Sequence, residues 1–186
     1  AVVEKSTQRD IRFQLLQQQY GGLSSARNYG IRHARGEYIA LLDGDDVYHR
    51  DKIATHVARL YNQPDVGVVY SASQTIRDDG SNAVFRRCLI SEVGEFDENL
   101  RSWEDVDLWL RIAATQKWRV YRVTRVLCYY RVRPSGLSFN FVQMRNSGAI
   151  VIENAYQRSP ELIEPMLPTV YAYMYRYLSR LCLQGG

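Results

Sequence analysis

A three-layer α/β fold with a mainly parallel sheet, followed by a C-terminal helical extension, is what this 186-residue sequence predicts. Three observations carry that expectation. The apolar run Tyr38-Ile39-Ala40-Leu41-Leu42 stops at Asp43-Gly44-Asp45-Asp46, as a buried strand does when it ends at a ligand site. Helix-like and strand-like patterns alternate at short intervals from Leu23 to Tyr70, the mark of parallel strands covered by helices. From Phe141 onward the strands give way to helical periodicity, and three of the five prolines, Pro160, Pro165 and Pro168, mark a bend.

Taken in order, Leu23, Ala26, Gly30, Ile31 and Ala34 recur at helical spacing. They predict a helix over 23–34, capped by Ser24 or Ser25 and ended by Gly36. A strand over 37–42 follows. Ile53, Val57, Leu60 and Tyr61 define the inner face of a second helix, which ends near Asn62-Gln63-Pro64. The segment 66–70 reads as a strand. Past Asp78-Asp79-Gly80 the pattern breaks, and 93–100 reads as a structured loop. Trp103-Glu104-Asp105 opens a helix with Val106, Trp109, Leu110 and Ala113 facing inward. Two strands, 119–123 and 126–132, are closed by Arg133-Pro134-Ser135-Gly136. In the last helix Tyr171, Met174, Tyr175, Leu178, Leu181 and Cys182 form one stripe, flanked by Tyr173, Arg176, Tyr177 and Arg180. The stripe is expected to pack on the domain; a dimer face or an interfacial membrane helix is the alternative.

Composition narrows the class. Hydrophobic content of 46% and charged content of 24% are those of a globular domain. No apolar run reaches the length of a membrane span. The opening Ala1-Val2-Val3-Glu4-Lys5 turns polar at once, so no leader is expected in it. Cys88, Cys128 and Cys182 are odd in number and lack metal-ligand spacing, which favours a reducing, cytoplasmic setting. Lys5, Lys52 and Lys117 are the only lysines in a chain of net charge +4. Arginine grips phosphates with a planar fork, and it serves equally on a solvated surface. A nucleic-acid partner is not expected. The densest basic stretch, 118–133, alternates like strands with one wet face.

The acids after residue 42 carry the chemistry. Hard carboxylate oxygens at a strand end suit Mg²⁺ or Mn²⁺ held against a diphosphate. Asp and Gly there also serve as turn formers, and both readings stand. A calcium loop fails on spacing: counted from Asp43, the sixth residue is Tyr48 and the twelfth Ala54, where glycine and glutamate are required. His33, His49 and His56 share no metal spacing and are expected at the surface or hydrogen-bonded.

The blocks Gly21-Gly22-Leu23-Ser24-Ser25-Ala26-Arg27-Asn28-Tyr29-Gly30, Ala34-Arg35-Gly36-Glu37 through Asp46, Val93-Gly94-Glu95-Phe96-Asp97-Glu98 and Glu104-Asp105-Val106-Asp107-Leu108-Trp109-Leu110-Arg111 closely resemble family 2 glycosyltransferases of the GT-A fold. The likeness covers about residues 12–138. It implies a GT-A domain over 1–140, N-terminally incomplete, with a helical extension over 141–186. It implies transfer of a sugar from a nucleotide-diphosphate donor to an acceptor hydroxyl, with inversion and a divalent cation, Mg²⁺ or Mn²⁺. Asp43 and Asp45 would serve the metal and the donor, with Asp46 a third acid. Asp105 would be the general base, supported by Glu104. Arg27, Asn28 and Arg131 would lie at the nucleotide. The acceptor would be a glycan or a lipid-linked glycan, as in cell-envelope polysaccharide synthesis, with peripheral membrane contact or dimerisation through the last helix.

Each role has a plainer counterpart. Asp105 can cap its helix, Arg27 can pair with a surface acid, Arg87 reads as solvated, and Trp103 can stack on a sugar or fill core. Arg133 stands where relatives often carry a histidine. The resemblance leads us to expect the family's first two strands ahead of Ala1 and a longer acceptor-side segment between Gly80 and Ser81. An inactive nucleotide-sugar-binding module, or another Mg²⁺-dependent nucleotidyl or phosphoryl enzyme, are the competing functions.

Overall fold

The computed structural model describes residues 10–75, 83–131 and 140–185. The junction at 80–81 and the turn at 133–136, Arg133 included, lie outside the described residues. Residues 10–22 run without helix or strand. Helix α1 (Leu23–His33) then starts from Gly22 at φ 91°, a conformation that disfavours any side chain. No serine caps it, contrary to expectation; Ser24 is turned into the interior.

Strand β1 (Tyr38–Ala40) leads through the acidic turn to β2 (Val47–Tyr48), then α2 (Lys52–Asn62) and β3 (Val66–Thr75). Strand β4 (Val84–Arg86), α3 (Cys88–Val93), α4 (Glu104–Ala114) and β5 (Arg119–Tyr130) complete the sheet layer. The sheet order is β1-β4-β3-β5-β2. Its longest ladder, β3 with β5, is parallel, while β1–β4, β3–β4 and β2–β5 are antiparallel. The sheet is therefore mixed: β1, β3 and β5 run one way, β2 and β4 the other. A short link between neighbouring strands allows only an antiparallel return, and β4 follows β3 in that manner.

Two expected strands, 119–123 and 126–132, are one strand with a bulge. Val123 stands opposite Ser71, Val126 opposite Ala72 and Cys128 opposite Ser73, so Thr124, Arg125 and Leu127 are the extra residues. A second irregularity at Gly67 turns Val66 to the side of Val69, away from Val68. One face of the sheet buries Ile31, Val68, Phe85, Leu89, Leu108 and Ile112. The other buries Leu60, Val66, Val69 and Val84.

Two helices hide other residues than periodicity indicated. In α2 the buried side chains are Lys52, His56 and Leu60, while Ile53 and Tyr61 are exposed. In α4 they are Glu104, Asp107, Leu108 and Ile112, and Ala113 is exposed. His56 is thus neither at the surface nor hydrogen-bonded: it is fully buried and both ring nitrogens lack a partner. Lys52 lies over the Tyr48 ring, 4.6 Å from its centre.

After 140 the chain is helical: α5 (Phe141–Arg158), α6 (Pro160–Ile163), a 3₁₀ turn (Glu164–Met166) and α7 (Leu167–Gly185). Asn140 caps α5 by accepting the Gln143 N–H at 3.1 Å. Met144, Ile152, Met174 and Leu178 form a third core between α5 and α7, and Trp103 packs against it. Among the described residues no helix is long and apolar enough to cross a membrane.

Candidate active site

Strands β1 and β5 run parallel, so their carboxyl ends open on the same side of the sheet, where α/β folds bind ligands. Asp43, Asp45 and Asp46 follow β1 there, and Arg131 follows β5. The Asp46 N–H donates to the Asp43 carbonyl at 3.0 Å, which closes the turn. Asp46 in turn accepts the Arg131 backbone N–H at 3.0 Å, and Arg131 Nε donates to the Asp45 carbonyl at 3.3 Å. Burial raises the Asp46 carboxyl above the usual range, and Asp43 and Asp45 add to the rise against the pull of Arg131. Tyr48 holds the turn from behind by donating its hydroxyl to the Leu41 carbonyl.

Arg27 projects from α1 into the space between this turn and the start of α4. One nitrogen of its fork donates to Glu104 Oε1 at 2.6 Å and the other to Asp43 Oδ1 at 3.1 Å. The Arg27 side chain is 9% exposed and that of Glu104 7%, so the pair is desolvated. Burial opposes the Arg27 charge, yet Asp43, Glu104 and Asp105 together hold it more firmly protonated than usual. Burial raises the Glu104 carboxyl, Asp105 raises it further, and Arg27 restrains the rise. Sequence reading left Arg27 with a surface partner as its plain alternative; its partners are instead the two acids that bracket the cleft.

Asp105 is half-buried and accepts the Val106 N–H at 2.8 Å. Asn28 is buried. Its amide donates to the Phe96 carbonyl at 2.9 Å and accepts the Phe96 N–H at 2.9 Å, and it also reaches Glu98. It clamps the 94–100 loop beneath the site. Arg87 stays exposed and donates to the Gly36 carbonyl. Trp103 fills core beside α5 and α7.

Asp107 was not singled out from the sequence. It is buried, with Arg111 at 2.8 Å and Arg158 at 3.5 Å; its spacing of four from Arg111 was the available signal. The support of Tyr48 and Lys52 left no such trace, because it depends on where β2 lands.

Among the described residues, no group of three or more His, Cys, Asp or Glu side chains could hold a metal ion by itself. Two aspartates at a strand end, completed by substrate phosphates, are nevertheless a donor set that Mg²⁺ or Mn²⁺ accepts. The residues present fit a divalent cation on those terms.

The family model described as "Glycosyl transferase family 2" matches residues 1–131. An uncharacterized glycosyltransferase of Rickettsia bellii is 25% identical over 82% of this chain and 26% of its own length. The minor teichoic acid biosynthesis protein GgaB of Bacillus subtilis is 28% identical over 64% of this chain and 16% of its own length. The chain thus spans well under half of these curated relatives. Among solved structures, the mannosyltransferase PcManGT from Pyrobaculum calidifontis, in complex with GDP-Man and Mn²⁺, superposes with a TM-score of 0.72 at 19% identity, covering 97% of this chain and 59% of that one. Staphylococcus aureus TarS 1-349 in complex with UDP-GlcNAc gives a TM-score of 0.57 at 17% identity, covering 75% and 49%. At such identities the structures speak for the fold: an α/β GT-A domain with helices appended.

Proposed function

The chain belongs to glycosyl transferase family 2, and on that premise we propose that it moves a sugar from a nucleoside-diphosphate donor to an acceptor hydroxyl, with inversion and with help from a divalent cation. The observation that carries the reading is the single guanidinium of Arg27, which ties Asp43 at the strand end to Glu104 at the helix start. Two acidic groups facing one cleft are what a single displacement needs. One serves the leaving diphosphate and the other the attacking hydroxyl.

Asp43 and Asp45 would hold the cation, and Arg131 would add positive charge beside the diphosphate. A bound divalent ion supplies Lewis-acid stabilisation of the charge that grows on the leaving group. Asp105 takes the proton from the acceptor hydroxyl as the new bond forms. Glu104, held by Arg27 against the rise that burial brings, supports Asp105 from the same end of the cleft. The transition state has oxocarbenium character, so water must be kept from the anomeric carbon; the desolvated Arg27–Glu104 pair walls one side of the cleft. A glycan or lipid-linked glycan of the cell envelope is the acceptor class that the teichoic acid relative supports. The three free cysteines are in keeping with a reducing, cytoplasmic compartment.

The test is calorimetric titration of the full-length protein with UDP, GDP and their sugars, with and without Mn²⁺, beside Asp45→Ala. Mn²⁺-dependent binding of one nucleotide, weakened at least tenfold in Asp45→Ala, is expected. Equal binding by the variant would remove Asp45 from the donor site.

A further inference from the structure

Trp103 directly precedes the acid pair, and its backbone lies in the left-handed region at φ 64°, ψ 12°. A bulky residue keeps that conformation only where its surroundings fix it, and such residues gather at functional sites. Here the surroundings belong to the C-terminal extension. The indole packs against the Met144, Ile152, Met174 and Leu178 core and meets Tyr177 edge-on, 6.3 Å between ring centres. Gly148 of α5 makes room for it. A Cβ at that position would stand 3.2 Å from Trp103 Cε2 and 2.8 Å from Met174 Sδ.

Two polar contacts flank the indole. Gln143, in the first turn of α5, donates to the Arg101 carbonyl at 3.1 Å. Arg158, in its last turn, pairs with Asp107 at 3.5 Å. One helix therefore grips the chain on both sides of Glu104 and Asp105.

We infer that the helical extension is a brace for the acid pair: α5 and α7 hold Trp103 in its left-handed conformation, and Trp103 fixes the direction in which Glu104 and Asp105 leave the loop. Trp103 and Gly148 are then positioning residues that act through Asp105 without touching substrate. The catalytic half of this inference rests on the general-base role given to Asp105; the mechanical half does not.

Hydrogen exchange followed by mass spectrometry separates the two halves. The full-length protein is compared with Gly148→Val and, where that variant fails to fold, with the double variant Gln143→Ala, Arg158→Ala, which leaves the core intact. Amides of 101–107 are expected to exchange at least tenfold faster, while those of 66–75 keep their protection. Release of nucleoside diphosphate from a panel of UDP- and GDP-sugars with Mn²⁺ should show kcat reduced at least tenfold and the donor KM unchanged. Protection of 101–107 equal to the parent in both variants would overturn the brace. So would loss of that protection with kcat unaltered, provided Asp105→Asn is inactive. If Asp105→Asn turns over normally while 101–107 has loosened, the brace holds and the base assignment fails.

Discussion

Arg27 satisfies two carboxylates from opposite sides of a cleft with one fork, a task lysine cannot do because its charge is a point. Removing it leaves Glu104 buried with no counter-charge, which for a desolvated pair costs about 3–5 kcal/mol. Arg27→Ala is expected to lose that much in urea unfolding, and Arg27→Lys to recover only part of it. His56 makes the opposite case, a titratable group with no partner at all. Burial, aided by Lys52 one turn away, pushes its imidazole from 6.5 down to about 4. Between those values the unfolded chain binds a proton that the folded chain refuses. Stability should therefore fall as pH drops through that window, by up to about 3 kcal/mol. His56→Leu should flatten this acid limb, read as unfolding midpoints at pH 7 and 4.5. The carboxylates and Arg27 could be named from the sequence because they sit in short ordered blocks. That Arg27 would span 77 positions to Glu104 could not, since the distance is set only when α1, β1 and α4 converge. Nor could the bonds of Asn28 to the Phe96 backbone be read from its place beside Arg27.

Among the elements, helices of eleven residues were legible and their buried faces were not. The 3.6-residue rhythm places α1, the end of α2 and the start of α4 within a residue or two of their observed positions. It assigns the inner face by apolarity, and these helices bury charge. Lys52 goes inside because the Tyr48 ring receives it, Glu104 because Arg27 does, and Asp107 because Arg111 does. Each partner is invisible to a window of local sequence unless it lies four residues away on the same helix, as Arg111 does. Strand β2, of two residues, and α3, of six, are too short for any period to show. Where an element is apolar, its behaviour follows simpler rules. Phe85 of β4 is fully buried and meets Trp109 edge-on at 5.5 Å. Phe85→Ala should cost about 3–5 kcal/mol in denaturant unfolding, with no change in nucleotide binding beyond the loss of folded protein.

At the scale of the molecule, two sheet faces and a helical annex each have a core of their own. The fold class could be read from the order of patterns alone. The mixed direction of the strands could not, because direction depends on links and not on composition. The sheet order has one further effect. Strands β1 and β2 are separated by a single acidic turn, yet they occupy opposite edges of the sheet and cannot pair with each other. Strand β1 waits for β4, and β2 waits for β5. Pairings so distant along the chain form slowly. During synthesis on a ribosome, Asp43, Asp45 and Asp46 emerge early, but the frame that shapes them is complete only once residue 130 has been added. Until then these acids are simply three charges on an unfinished polymer.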